Sequence, residues 1–240
     1  MAGKAGSTIV GVVTITLMTL NVLFWCTPLF VVALAKFLLP LAGWRRLMSR
    51  VLIVIAERWI YTNNLIFRLT GVLRIDARGL DVLKRQEWYL VVSNHRSWVD
   101  ILVLQAALTG RVPFLKFFLK QQLIWVPVLG LAWWALDFPF MRRYSAAYLA
   151  KHPQMRGKDL EATRSACEKF RQIPTSVMNF VEGTRFTPAK HSALDSPYRN
   201  LLPPRAGGVA FVLSAMGGML HSMLDVTIAY RQQTPTLWDL

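Results

Sequence analysis

The residues able to do chemistry in this chain fall in two polar clusters, Asn94-His95-Arg96-Ser97-Trp98-Val99-Asp100 and Glu182-Gly183-Thr184-Arg185. A neutral imidazole whose Nδ1 is held by a carboxylate keeps Nε2 free to take a proton from a hydroxyl. On a regular helix His95 and Asp100 would diverge by about 140°. The pair therefore requires His95 in a loop, with Asp100 in the first turn of the helix that follows. The same spacing has a plainer use, because Ser97-x-x-Asp100 is also a capping-box signature in which the carboxylate only stabilises a helix start. The residue pattern allows both.

Each cluster follows an apolar run, at 89–93 and 177–181, and both runs read as strands. Further strands are expected at 73–75 and 226–230, with helices at 98–108, 158–171 and 206–216 between them. The segment 191–204, rich in Ser, Pro and Asn, reads as a surface loop. Strands alternating with helices imply an α/β domain with a mixed, mostly parallel sheet flanked by helices. In open sheets of this kind ligands bind at the carboxyl ends of the strands, so both clusters should face one crevice.

Ahead of that domain lies a different texture. No charged side chain occurs between Lys4 and Lys36, and the run is long enough for a membrane helix. As one continuous helix it would measure roughly 45 Å against a hydrocarbon thickness of about 30 Å, so it must tilt or break, and Pro28 is the natural break. A cleaved signal peptide is the competing reading, but the apolar run is too long for one. Arg45, Arg46 and Arg50 follow the run and place the next segment on the cytoplasmic side of the membrane, expected to be an inner (plasma) membrane. From 50 to 73 the pattern is helical, with Arg50, Glu57, Asn64 and Arg68 on one narrow polar stripe. The expected organisation is a membrane segment at 1–49, as one broken or two short helices, and a catalytic domain at 50–240.

Composition supports a membrane surface over nucleic acid as the partner. The chain carries a formal charge of +15 while 54% of its residues are hydrophobic, and its mean hydropathy is +0.35. Basic charge on apolar bulk suits the anionic face of a bilayer. Cys26 and Cys167 are far apart and form no C-x-x-C pair, so neither a disulfide framework nor a zinc site is expected. His95, His152, His191 and His221 lack the spacing of a metal site, and no metal is predicted.

The first cluster resembles the H-x4-D motif of the glycerolipid acyltransferases, the family of 1-acylglycerol-3-phosphate acyltransferases. Phe180-Val181-Glu182-Gly183-Thr184-Arg185 resembles their F-x-E-G-T-R motif, and the two stand in the family's order. Between them Lys120, Leu123, Pro127, Gly130 and Phe140 to Arg143 resemble a second conserved block, closed by Arg143. The resemblance covers about Leu38 to Tyr230 and is closest to the branch holding bacterial inner-membrane members and lysocardiolipin acyltransferases. It departs at Phe186, where serine is common, and at 225–230, where the fourth motif's proline is missing. It leaves open that the chain is a fragment.

What the resemblance implies is an O-acyltransferase that acylates lysophosphatidic acid, or another lysophospholipid or lysocardiolipin. His95 would deprotonate the acceptor hydroxyl and Asp100 would orient it. Arg143, Glu182, Gly183, Thr184, Arg185 and Lys120 would serve the substrate site. A guanidinium matches phosphate geometry, and glycine lets backbone amides approach an anion. The donor would be acyl-CoA or acyl carrier protein as co-substrate, with no bound cofactor. The oxyanion is expected on backbone amides near Gly183 or in the His95 turn. A non-catalytic lipid-binding scaffold is the rival from another class. Cys167, on the inner face of its helix, is a poor nucleophile candidate.

Overall fold

The structure is a computed structural model and describes residues 4–141, 151–152, 161, 164, 167–231 and 235. It opens on two long helices, α1 (Lys4–Leu38) and α2 (Ala42–Thr70). They pack together along Cys26, Leu29 and Ala33 of one and Leu52, Ala56 and Ile60 of the other, all buried. The α2 residues recur at helical spacing, so one stripe faces α1. An amide bridge crosses the same interface, where Asn21 Nδ2 donates to Asn63 Oδ1 at 2.9 Å and to the Trp59 carbonyl at 3.2 Å. Helix α1 continues through Pro28, which corrects the expected break. Cys26 and Leu29, close on either side of the proline, are buried against α2, and neighbouring helices can support a proline-containing turn. The boundary drawn at 49/50 falls inside α2.

Thr8–Leu38 is long and apolar enough to cross a membrane, and 17% of its most apolar window is buried. A core helix of a soluble protein would be mostly buried. Leu20, Leu23, Phe24, Val31 and Leu34 are instead exposed. An apolar face of this extent marks a surface made for lipid or a partner.

Four strands, β1 (Tyr89–Ser93), β2 (Leu115–Phe117), β5 (Ser176–Phe180) and β6 (Ser222–Val226), form a parallel sheet in the order β2-β5-β1-β6. Two-residue strands β3 (Leu119–Lys120) and β4 (Phe140–Met141) pair separately. Central β1 is buried along its whole length, as expected for a parallel strand covered on both faces. Its alternate residues serve two cores. Tyr89 and Val91 pack with Leu104 and Leu108 of α3 (Val99–Leu108), while Leu90 and Val92 pack with Cys167, Phe170 and a later helix. The sheet is thus sandwiched between helices.

Helix α4 (Leu129–Ala135) joins this domain to the hairpin formed by α1 and α2, because Ala132, Ala135 and Leu136 share a core with both. Gly130 is obligatory there, since a Cβ at that position would stand 2.0 Å from the Ile124 carbonyl oxygen. Two more helices follow, α5 (Pro188–Ala193) and α6 (Ala206–Met216).

The segment expected as a strand at 73–75 is irregular and largely exposed. The last strand lies four residues earlier than expected, at Ser222–Val226, because the chain beyond it is held by a side chain. Asn94 accepts from Ile228 N at 2.8 Å and donates to Ile228 O at 2.9 Å, taking the place of a strand. The expected loop at 191–204 opens on the end of α5. Of the helix expected at 158–171, the described residues Glu161, Arg164, Cys167 and Glu168 are helical, and Lys169–Arg171 closes it as a 3₁₀ turn.

Candidate active site

Register brings the two clusters together. Ser93 pairs with Phe180 on one side and Val226 on the other, so the residues beyond them emerge at one end of the sheet. Here the chain folds back on Asp100, which is completely buried in the first turn of α3. His95 Nδ1 lies 2.9 Å from Asp100 Oδ2. The same oxygen accepts the backbone N–H of Arg96 at 2.6 Å and of Ser97 at 2.8 Å. The two readings of Ser97-x-x-Asp100 are therefore one structure, since a single carboxylate oxygen holds both the helix start and the imidazole.

Burial would push the Asp100 carboxyl up, but hydrogen bonds from His95, Tyr230 and the Ser97 and Arg96 amides outweigh it and hold the group below the usual carboxylate range. It stays ionised, and its charge requires the proton on Nδ1. Nε2 is left as the basic nitrogen. The ring is fixed from its face by Phe180, stacked at 3.9 Å between centroids and 14° between planes.

Glu182 builds the floor. One oxygen accepts His95 N at 2.8 Å and the other accepts Leu202 N at 2.7 Å. Phe186 N in turn donates to the His95 carbonyl at 2.7 Å. Glu182 is 2% exposed; the structure places it beneath the histidine turn as a brace between the clusters. Gly183 turns the chain with φ +67°, and a Cβ there would meet Arg205 Cδ at 3.1 Å. Its N–H donates to Phe180 O at 2.9 Å. The amides of His95, Arg96 and Ser97 are also taken, so these four backbone donors are engaged within the site itself.

Arg185 is exposed, its guanidinium stacked 4.6 Å over the ring of Trp98, beside the histidine turn. Among the described residues it makes no ion pair with Glu182. Thr184 Oγ1 accepts from Lys190 Nζ at 2.7 Å, and the same ammonium donates to the Arg185 carbonyl at 3.1 Å. Lys120 is exposed on β3. Arg143 lies outside the described residues. Cys167 is fully buried, and burial pushes its thiol up to about 12, which leaves no thiolate for nucleophilic attack. Among the described residues no group of three His, Cys, Asp or Glu is placed to hold a metal ion.

Two participants were not read from the sequence. Lys190 had no signal beyond its place after the cluster. Tyr230 had one, standing five residues beyond Asp225 in an apolar run after a turn. Its hydroxyl donates to Asp100 Oδ1 at 2.5 Å, and burial first, then this bond to a carboxylate, pushes its pKa up. Tyr230 is a positioning residue. Hydrogen bonds to charged groups contribute roughly 1.5–3 kcal/mol, so Tyr230→Phe is expected to lower kcat by about 10-fold with KM unchanged. An unchanged kcat would reduce Tyr230 to packing.

Residues 74–231 match the family model described as Acyltransferase. The chain is 30% identical to a 1-acyl-sn-glycerol-3-phosphate acyltransferase 3 of Arabidopsis thaliana over 180 residues, covering 69% of this chain and 44% of that protein. It is 31% identical to a 1-acyl-sn-glycerol-3-phosphate acyltransferase 2 of Brassica napus over 163 residues, 62% of this chain and 39% of the relative. With the mouse 1-acyl-sn-glycerol-3-phosphate acyltransferase gamma it shares 26% identity over 199 residues, 78% and 48% of the two chains. The chain thus spans less than half the length of these curated relatives. No solved structure matches.

Proposed function

Because the chain belongs to the acyltransferase family, we propose that it is a membrane-bound O-acyltransferase that moves a fatty acyl group from acyl-CoA or acyl carrier protein to the hydroxyl of 1-acyl-sn-glycerol-3-phosphate, forming phosphatidic acid. The observation that carries this reading is the buried, ionised Asp100 at Nδ1 of His95, which leaves Nε2 as a base. As Nε2 takes the proton of the acceptor hydroxyl, the oxygen attacks the thioester carbonyl. The tetrahedral intermediate then expels the thiolate, which recovers the proton from the imidazolium. No acyl-enzyme forms. Arg185 offers its guanidinium edge to the acceptor phosphate while Trp98 supports its face, and Lys190 adds a second positive charge at the same mouth. Arg143 and Lys120 belong to the same substrate site by their place in the second block. Glu182 and Gly183 contribute by shaping the turn that carries His95.

The reading places the catalytic domain on the cytoplasmic side of an inner membrane. It is supported by the exposed apolar length of α1, the arginines that follow it, and the core that α1 shares with α2 and α4. One experiment addresses both parts. Membranes are washed with alkaline carbonate, and the protein retained is purified in detergent and assayed with both thioester donors against a panel of lysophospholipids. Retention in the membrane and formation of phosphatidic acid are expected. Recovery in the soluble fraction would remove the anchor, and thioester consumption with no lysolipid in the panel would remove the activity.

A further inference from the structure

At the opposite end of the sheet from His95 lies a cavity of about 450 Å³ that the reaction does not use. Its lining comes from the end of α1, the start of α2, the segment after α4, Lys116 of β2 and the residues leading into β5. Thr175 lines it just ahead of β5, and Glu182 lies just beyond the strand's other end. At about 3.3 Å per residue the two sites are roughly 20 Å apart.

Its charge is one-sided. Among the described residues, Lys36, Arg45, Arg46, Lys116 and Lys169 line it against the one carboxylate of Asp137. That carboxylate is already committed, to Lys36 at 2.6 Å and to Lys169 at 2.9 Å. Asp137 is held for this task in a left-handed backbone conformation, φ 58°, that residues other than glycine rarely adopt. Among the described residues none of the remaining three cations forms an ion pair with a carboxylate. Lys116 is the most exposed to this imbalance. It is 5% solvent-accessible, sits on a strand, and stands 4.6 Å over the Phe170 ring. Burial lowers its pKa to about 8 against the attraction of Asp137, the cost of holding an ammonium in a dry site. One wall is apolar and aromatic: Phe37, at the end of the apolar helix, stacks on Trp134 at 4.8 Å, and both are half exposed.

We propose that this cavity is a second lipid site, separate from the catalytic crevice, that takes the phosphate of an anionic phospholipid on Lys116, Arg45 and Arg46 while an acyl chain lies along Phe37 and Trp134. A phosphodiester supplies the missing negative charge, and guanidinium and ammonium donors suit its oxygens. The position supports a lipid over a free anion, since the cavity opens where α1 ends and where aromatic residues mark a membrane interface. A lipid held there would pin the hairpin to the sheet.

The test uses the full-length protein in neutral detergent, with quenching of Trp134 fluorescence by phosphatidylglycerol brominated on its acyl chains. The Trp134 component is taken as the difference from Trp134→Phe. Brominated phosphatidylglycerol is expected to quench it at about 10-fold lower concentration than brominated phosphatidylcholine, the effect of roughly one charged hydrogen bond. Arg46→Gln, at an exposed position on the rim, and Lys116→Met should each erase that preference, while Arg185→Ala should leave it intact. Equal quenching by the two lipids would overturn the site, as would a preference that survives Arg46→Gln in a folded protein. Displacement by inorganic phosphate as potent as the lipid would overturn the lipid assignment. So would a raised KM for the acyl donor in Arg46→Gln with lipid quenching unchanged, which would give these cations to the donor.

Discussion

His95→Ala is expected to lower turnover by about 10² to 10⁴, the usual contribution of a positioned general base, while the protein still folds and inserts. Folding should survive because the structural duties of this turn rest on main-chain atoms: the His95 amide on Glu182, the His95 carbonyl on Phe186, and the Arg96 and Ser97 amides on Asp100. Alanine keeps all of these bonds. Asp100→Asn differs in kind. It removes the charge that keeps the proton on Nδ1, and it loosens the helix start and the Tyr230 contact together, so a loss of stability should accompany the loss of rate. Steady-state kinetics with thermal unfolding of both variants separates the two roles. If His95→Ala retains more than about a tenth of wild-type turnover, the base has been misassigned.

Arg185→Ala should weaken capture of a phosphate-bearing acceptor by about 10- to 150-fold in kcat/KM, the worth of a hydrogen bond to a charged group. The structure sharpens this expectation, because Glu182 is spent on two backbone amides and Arg185 leans on Trp98 instead. Removing the guanidinium therefore leaves no buried carboxylate unpaired and should not disturb the floor of the site. Lysine should rescue only in part, since it restores charge without the planar fork. Comparing lysophosphatidic acid with the monoacylglycerol that lacks its phosphate is decisive: selective loss on the former assigns Arg185 to the phosphate, and an equal fractional loss on both removes it.

What could be read from the residues, and what could not, divides by the range of the forces involved. Strand β1 and helix α6 were legible because nearly unbroken apolar runs of strand and of helix length reflect burial directly. The His95 and Asp100 pair was legible only in part: the spacing allowed it or a plain helix cap, and the resemblance to the H-x4-D motif chose between them. Strand β2 was not legible, since three residues interrupted by Lys116 carry no period, and the strand exists because β5 offers it an edge. Tyr230 and the true position of β6 were hidden for a related reason. Asn94 reaches across 134 residues to hold the chain just past β6, and local propensity does not report a contact of that range. Glu182 was assigned to the acceptor by resemblance, yet its place is set by two amides from separate loops, which emerge only once β1 and β5 are paired.

Direct transfer is tested most plainly by a single-turnover experiment in which purified protein is mixed with acyl thioester, and the acceptor is added only afterwards. Free thiol, phosphatidic acid and the intact mass of the chain are followed together. A base that activates the acceptor hydroxyl predicts no thiol release before lysophosphatidic acid is added, then one phosphatidic acid for each thiol, with the mass of the chain unchanged throughout and the reaction lost in His95→Ala. A burst of thiol before the acceptor arrives, with an acyl group added to the mass of the chain, would contradict it.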